Sequence, residues 1–305
     1  MKTDVIKTGF LVSYDWSLLK HSLPCVYDHS DRIFLALDKH RITWSGNLFD
    51  FDLNNFQAFL RELDKENKIE VFEESFYKQG LSPMECEVRE RNLLASKMGK
   101  GGWHIQLDVD EYFRDFGGFV KFLRSISANP KGDDKALNVL AHYIPLFKKL
   151  RNGYLFVENG RRLQSVPVAT NTPEYQYGRV NGHFNITSSF YIVHETWARS
   201  EEDVLMKISN WGHRDDFNKS SYIKLWNALD EYNHKYLRNF YYLAPREAWA
   251  ELSYSEGKDI GEFLEKFSTE HFPYSKLELF LKNNRNVARF LSLIRHARKL
   301  NGNLF

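Results

Sequence analysis

A short acidic cluster, Asp108-Val109-Asp110-Glu111, is the part of this sequence best suited to chemistry. It directly follows residues 103–107, in which Trp103, Ile105 and Leu107 alternate with polar residues, and this segment is predicted to be a strand. Because side chains alternate along an extended chain, Asp108 and Asp110 are expected to face one ligand while Val109 faces the core. Carboxylate oxygens bind hard divalent cations such as Mg²⁺ and Mn²⁺. The spacing therefore predicts a metal site that neutralises a diphosphate group.

The residues before this cluster alternate between strand and helix patterns. Apolar runs that end on polar residues predict strands, and apolar residues at helical spacing predict the helices between them. The predicted strands cover 8–13, 32–37, 68–72 and 103–107, and the predicted helices cover 18–23, 51–63 and 85–98. This alternation predicts an α/β fold with a Rossmann-like, mostly parallel sheet, whose strands deliver ligand-binding residues at their carboxyl ends.

The pattern changes after residue 129. Strand-like segments at 137–147, 154–158, 163–169 and 184–193 predict an antiparallel middle section, with tight turns at Asn152-Gly153, Asn159-Gly160 and Asn181-Gly182. From Ser200 onward, capping patterns predict a helical C-terminal region. We divide the chain into a catalytic domain at 1–215, made of a nucleotide-sugar-binding half (1–128) and an acceptor half (129–215), and a helical region at 216–305.

The helix segment Arg91-Asn92-Leu93-Leu94-Ala95, followed by the strand that ends in Asp108-Val109-Asp110, resembles the core of family 2 glycosyltransferases with the A-type fold. The opening is similar too, with Asp15 after the first strand and Asp38 after the second. The resemblance covers roughly residues 8–120 and continues more weakly to about 215. Residues 39–43 depart from the Ser-x-Asp-x-Thr segment of the family.

The resemblance implies roles for individual side chains in binding a nucleotide sugar. It implies that Asp110 is the principal ligand of Mn²⁺ or Mg²⁺, with Asp108 contacting the ribose or a metal-bound water and Glu111 supporting both. The other residues that it places near the base, ribose or diphosphate are Ser13, Tyr14, Asp15, Asp38, Arg91 and Asn92.

Two histidines and several carboxylates after the middle section are further candidates. His194 is a candidate extra metal ligand and His213 competes with it, while a histidine bonded to the backbone is the alternative for both. An inverting transfer needs a carboxylate that removes the proton of the acceptor hydroxyl, and Glu195 is the first choice, with Asp215 second. Arg199, Lys207 and Arg214 are candidates for stabilising the diphosphate or are solvated surface charges.

Composition excludes several classes of protein. With 42 Lys and Arg against 40 Asp and Glu the chain lacks the basic excess of a dedicated nucleic-acid binder. Two widely separated cysteines argue against a disulfide framework. Without a signal-peptide core or a long apolar span, the chain is expected in the cytoplasm. The basic pattern at 286–300 predicts a helix that either contacts the inner face of a membrane or packs on the catalytic domain.

These observations together predict an enzyme, a hexosyltransferase-type glycosyltransferase. It would move a sugar from a nucleotide diphosphate, UDP in preference to GDP, to a glycan or lipid-linked glycan in surface polysaccharide biosynthesis, with inversion. A nucleotidyltransferase is the alternative enzyme, although the first strand is not followed by a glycine-rich phosphate loop. A carbohydrate-binding protein without catalytic activity is the alternative outside the enzymes.

Overall fold

A computed structural model describes residues 4–126, 128, 136–160, 164–214, 217–240, 249–267, 272–288 and 290. The first part of the chain alternates strands and helices, as the sequence predicts. Its elements are β1 (Ile6–Val12), α1 (Leu19–Tyr27), β2 (Arg32–Asp38), α2 (Leu53–Leu63), β3 (Ile69–Glu74), α3 (Pro83–Met98), β4 (Trp103–Asp108), β5 (Glu111–Phe113) and α4 (Phe116–Ile126).

The first half of the central sheet is parallel. Its strands lie in the order β3, β2, β1, β4, and each neighbouring pair is parallel. Both faces of β2 are covered, because Ile33 and Leu35 pack in the main core while Phe34 and Ala36 pack in a second cluster with α3. Burial on both faces explains why these strands read as continuous apolar runs. The predicted mixed α/β fold with a mostly parallel central sheet is confirmed.

Helix α3 lies close against β1 and has well-defined ends. Ser82 caps its first turn in a capping box with Glu85, and Gly99 ends it with a positive φ of 74°. A side chain at Gly9 on β1 would place its Cβ atom 2.9 Å from Leu94 of α3, so glycine permits the close approach of helix and strand.

Strands of mixed direction follow. They are β6 (Leu137–Leu150), β7 (Gly153–Glu158), β8 (Gln164–Thr170) and β9 (Phe184–His194). Strand β8 pairs antiparallel with both β4 and β6, which joins this section to the parallel half. Strand β9 pairs antiparallel with β5 but parallel with β6, so the predicted antiparallel section contains one parallel pairing.

The predicted Asn-Gly turns have different outcomes. A two-residue hairpin loop, Arg151 and Asn152, joins β6 to β7, one residue earlier than predicted. Asn159-Gly160 leads into residues 161–163, which lie outside the described residues. The third turn is displaced, because the bridge between Tyr177 and Val180 closes a turn before Asn181-Gly182.

The C-terminal region contains strands as well as helices. Its elements, after α5 (Glu201–Asn210), are α6 (Lys219–Ala228), β10 (Arg238–Phe240), β11 (Trp249–Glu256), α7 (Ile260–Lys266) and α8 (Lys276–Lys282). The prediction of a helical C-terminal region missed β10 and β11, which extend the sheet beyond β7. Because one sheet connects all these segments, the domain division at residue 215 stays a prediction.

Most of the predicted basic helix at 286–300 falls at position 289 and at 291–300, outside the described residues. Across the described part of the chain, no helix combines the length and the apolar composition that a membrane crossing requires.

Candidate active site

A cleft opens at the carboxyl ends of β1, β2 and β4. From β1 the chain builds β2 and β3 on one side and then places β4 on the other, and ligands of open α/β sheets bind at such a reversal of strand order. The cleft holds about 880 Å³ of space, its open mouth included. Its polar lining side chains are Ser13, Tyr14, Asp15, Asp38, Thr43, Trp44, Glu87, Glu90, Asp108, Asp110, His194, Thr196, Lys207, Asn210 and Trp211.

Asp110 lies in the turn between β4 and β5, and three basic side chains surround it. Its Oδ2 atom is 2.6 Å from Arg199 Nη2, 2.7 Å from Lys207 Nζ and 3.5 Å from His194 Nε2. Pairing of β5 with β9 positions His194, because Glu111 lies opposite it in the ladder. Burial alone would raise the pKa of Asp110, but Lys207, His194 and Arg199 hold it well below its usual value. Asp110 is therefore a buried anion with bound cationic partners.

Arg199 connects the end of β1 to the acidic turn. Its Nη1 atom donates to Asp15 Oδ2 at 2.8 Å and its Nη2 atom donates to Asp110, while Nε donates to the backbone oxygen of Glu195 at 3.2 Å. The next residue, Ser200, caps α5 by accepting a hydrogen bond from the backbone of Asp203. Arg199 is thus fixed at three nitrogen atoms, immediately before a capped helix.

Asp108 belongs to a second group of charges. Arg91 Nη2 lies 2.9 Å from its Oδ1 atom and Arg179 Nη2 lies 3.1 Å from its Oδ2 atom. Arg179 also contacts Glu111 Oε1 at 2.6 Å, and the Tyr143 hydroxyl donates to the same oxygen. Burial would raise the pKa of Asp108, but the two arginines lower it to about 2. Glu111 is fully buried, in line with the supporting role predicted for it.

The residues predicted to surround the base and ribose do gather at the cleft. Ser13, Tyr14 and Asp15 follow β1 and line it, and so does Asp38 at the end of β2. The Asp38 carboxylate already accepts three backbone N–H groups, from His40, Ile42 and Phe76, at 2.8 to 3.1 Å. Asp38 therefore shapes the loop after β2, and only its remaining lone pairs are free for a ligand.

Arg91 and Asn92, neighbours on α3, have different surroundings. Arg91 is buried against Asp108 and Glu87. Asn92 exchanges two hydrogen bonds of 2.9 Å with the backbone of Tyr175 and so fixes a distant loop. Neither Arg91 nor Asn92 is among the described residues that line the cleft. A direct contact of either residue with a nucleotide stays a prediction.

Among the described residues, Glu195 and His213 do not line the cleft, although the backbone N–H of Glu195 donates to the backbone oxygen of Asp110 at 2.9 Å. Glu195 is buried, accepts a hydrogen bond from the Tyr112 hydroxyl, and is not among the described residues lining the cleft. Burial raises the pKa of Glu195. The ring of His213 packs against Trp211 and lies 3.4 Å from the Tyr177 hydroxyl. Asp215 falls outside the described residues.

Aromatic and carboxyl groups form another part of the cleft lining. Trp44 Nε1 donates to Glu90 Oε2 at 2.6 Å, and both side chains line the cleft beside Tyr14 and Phe49. Burial raises the pKa of Glu90 to about 8. An uncharged carboxyl group beside aromatic rings suits a flat polar ligand that carries both donors and acceptors.

Sequence reasoning missed Arg179, Tyr143 and Glu90. The spacing of Glu87, Glu90 and Arg91 on α3 does indicate side chains on one helix face, and the i, i+4 pair of Glu87 and Arg91 could have been read from it. Arg179 lies in a loop without periodicity, so no local pattern indicated its contact with Asp108.

The side chains available at the acidic turn decide whether it could bind a divalent cation. Within the described ranges, no group of three or more His, Cys, Asp and Glu side chains could hold a metal ion. An ion on Asp110 Oδ2 would have to share that oxygen with Lys207 Nζ at 2.7 Å and with Arg199 Nη2 at 2.6 Å. The donor set as placed does not fit Mn²⁺ or Mg²⁺, and the metal site stays a prediction from sequence.

Comparisons with known proteins do not assign a function to the chain. No family model matches the chain, and no curated protein matches it. Among solved structures, the crystal structure of S. aureus TarS 1-349 is similar over 72% of this chain and 68% of that chain, with 10% sequence identity and a TM-score of 0.33. A likeness this distant carries no weight in assigning a reaction, so function must be argued from the cleft.

Proposed function

We propose that the chain is a glycosyltransferase whose cleft binds a nucleotide diphosphate sugar. One observation carries the proposal. The cleft at the reversal of strand order combines aromatic side chains, among them Trp44, with the charged turn at Asp110 in one cavity. The resemblance to family 2 glycosyltransferases over roughly residues 8–120 supports the reaction class.

The aromatic part of the cleft lining suits the nucleobase of a donor, and the charged part suits its diphosphate. A nucleobase against Tyr14, Trp44 and Phe49 would stack on aromatic faces and meet the Glu90 carboxyl group. Its diphosphate would then extend toward Asp110, beside the ammonium group of Lys207. Charge-assisted hydrogen bonds from basic groups stabilise a departing diphosphate because its negative charge grows as the bond to the sugar breaks.

We further propose a UDP-sugar or GDP-sugar donor and a glycan or lipid-linked glycan acceptor, as in surface polysaccharide assembly. Transfer with inversion requires one carboxylate to take the proton of the acceptor hydroxyl. Glu195 and Asp215 remain the candidates for this base. Glu195 would have to leave its bond with Tyr112 to reach an acceptor in the cleft.

Thermal unfolding with UDP, GDP, ADP and CDP tests the donor class. A diphosphate present at 100 times its dissociation constant adds about 2.7 kcal/mol, which for a chain of 305 residues is expected to raise Tm by about 4 °C. Trp44→Ala should weaken binding about tenfold or more through lost stacking. Tyr232→Ala is the matched control, since Tyr232 is 73% exposed and does not line the cleft.

Product analysis then tests the reaction. Incubation with UDP-sugars and GDP-sugars is expected to release the nucleoside diphosphate and, with a suitable glycan, to form a larger glycan seen by mass spectrometry. Pyrophosphate release from a nucleoside triphosphate would instead identify a nucleotidyltransferase. Binding of glycans without response to any nucleotide would identify a carbohydrate-binding protein and refute the proposal.

A further inference from the structure

Lys207 occupies the place beside Asp110 where the sequence predicts a metal ion. It comes from α5, lines the cleft, and is 9% exposed. We propose that the Lys207 ammonium group, held by Asp110 and backed by Arg199, binds the diphosphate of the donor so that the site works without a divalent cation. This inference rests on the proposed function and concerns the same cleft.

The position of Arg199 is fixed by several independent contacts. Its bonds to Asp15, Asp110 and the backbone of Glu195 use nitrogen atoms of all three kinds in the guanidinium group. A planar guanidinium group with this many anchors does not swing away to admit another cation. The positive charge beside Asp110 is therefore built into the fold.

Lys207 differs from Arg199 because its ammonium group has more N–H donors than its contact with Asp110 uses. It carries three N–H donors, and within the described part of the chain the acceptor for its Nζ atom is Asp110 Oδ2, at 2.7 Å. The remaining donors can turn toward a ligand in the cleft that Lys207 lines. Lysine is well suited to this task, since it binds phosphate groups as a compact point charge.

The balance of charge agrees with such a site. Around the acidic turn, Asp15 and Asp110 are matched by Arg199 and Lys207, so this group of four charges is neutral before a donor binds. Two bare aspartates holding one divalent cation would also be neutral. The basic side chains thus supply the compensation that a metal ion provides in a bare acidic site.

Calorimetric titration of UDP and of GDP, in EDTA and in Mn²⁺, tests the inference. We expect dissociation constants in EDTA within about twofold of those in Mn²⁺, and no heat from Mn²⁺ alone. Lys207→Met should weaken binding in EDTA by about 10- to 100-fold, the range of a hydrogen bond to a charged group, while Lys207→Arg should keep most of it. Lys224→Met, at an exposed position on the following helix α6, is the matched control and should bind normally.

Circular dichroism and thermal unfolding first confirm that the variants are folded. Binding that requires Mn²⁺, or binding in EDTA that Lys207→Met leaves unchanged, overturns the inference and leaves the proposed function standing. If neither diphosphate binds with or without Mn²⁺, the proposed function and this inference both fail.

Discussion

The buried carboxyl group of Glu90 makes the stability of this protein depend on pH. Glu90 lies on α3 with 5% of its surface exposed, and Trp44 donates a hydrogen bond to it. Burial raises its pKa from 4.5 to about 8. The informative substitution is Glu90→Gln. Glutamine keeps the shape of the side chain and an oxygen that can accept the Trp44 hydrogen bond, but its side chain cannot ionise.

The raised pKa sets the sign and size of the effect. Because the folded protein holds this proton more tightly than the unfolded chain, the contribution of Glu90 to stability is complete below about pH 4.5 and is lost as pH rises toward 8. At about 1.36 kcal/mol for each pKa unit, the loss amounts to roughly 3 kcal/mol by pH 7 and about 5 kcal/mol at pH 8 and above. Glu90→Gln should not suffer this loss.

Urea unfolding at pH 5, 7 and 8.5 measures the difference. We expect the free energy of unfolding of Glu90→Gln, relative to the unmodified chain, to increase by about 3–5 kcal/mol between pH 5 and pH 8.5. Glu62→Gln, at an exposed position on α2, should track the unmodified chain and serves as the control. A difference that stays constant across the three pH values would refute the reasoning, since it would mean that Glu90 titrates alike in the folded and unfolded states.

Two further substitutions test buried contacts, one at the cleft and one at the opposite end of β4. Asp110→Asn leaves the buried Lys207 without its anion and removes one of the two anions that Arg199 contacts, so it should cost about 3–5 kcal/mol in urea unfolding; a cost below about 1 kcal/mol would contradict the buried ion pairs. Gly102→Ala would place a Cβ atom 2.4 Å from the backbone oxygen of Val5 at a φ of 73°, whereas Gly101→Ala has a similar φ of 76° and open space. We expect Gly102→Ala to be the more destabilising by at least about 1 kcal/mol in the same assay, and equal costs would show that the contact with Val5 relaxes freely.

The parallel half of the sheet was predictable because its strands are buried on both faces. A strand such as β2, with Ile33 to Leu37 almost fully buried, has to be continuously apolar, and the sequence displays that run directly. The gathering of Ser13, Asp38 and Asp108 at one edge follows from the same logic, since parallel strands end on the same side.

The spacing of buried residues in the C-terminal strands did not indicate strands. In β11 the two most buried side chains, Trp249 and Leu252, are three residues apart, which is helical spacing. The pairing of β11 with β7 decides its conformation, and that contact joins residues about one hundred positions apart. The local sequence pattern of β11 cannot identify β7 as its pairing partner, because strand formation depends on neighbouring strands.

The acidic motif illustrates both the strength and the limit of a spacing argument. Both aspartates line the cleft as alternation predicts, while Val109 packs in the main core and also borders the cleft. Alternation cannot tell which cations meet the two carboxylates, because Asp108 ends β4 while Asp110 already lies in the turn beyond it. From there Asp110 meets Lys207, 97 positions later in the chain. An Asp-x-Asp motif therefore indicates where charge is concentrated, and the basic side chains that later elements bring to it decide whether a metal ion is needed.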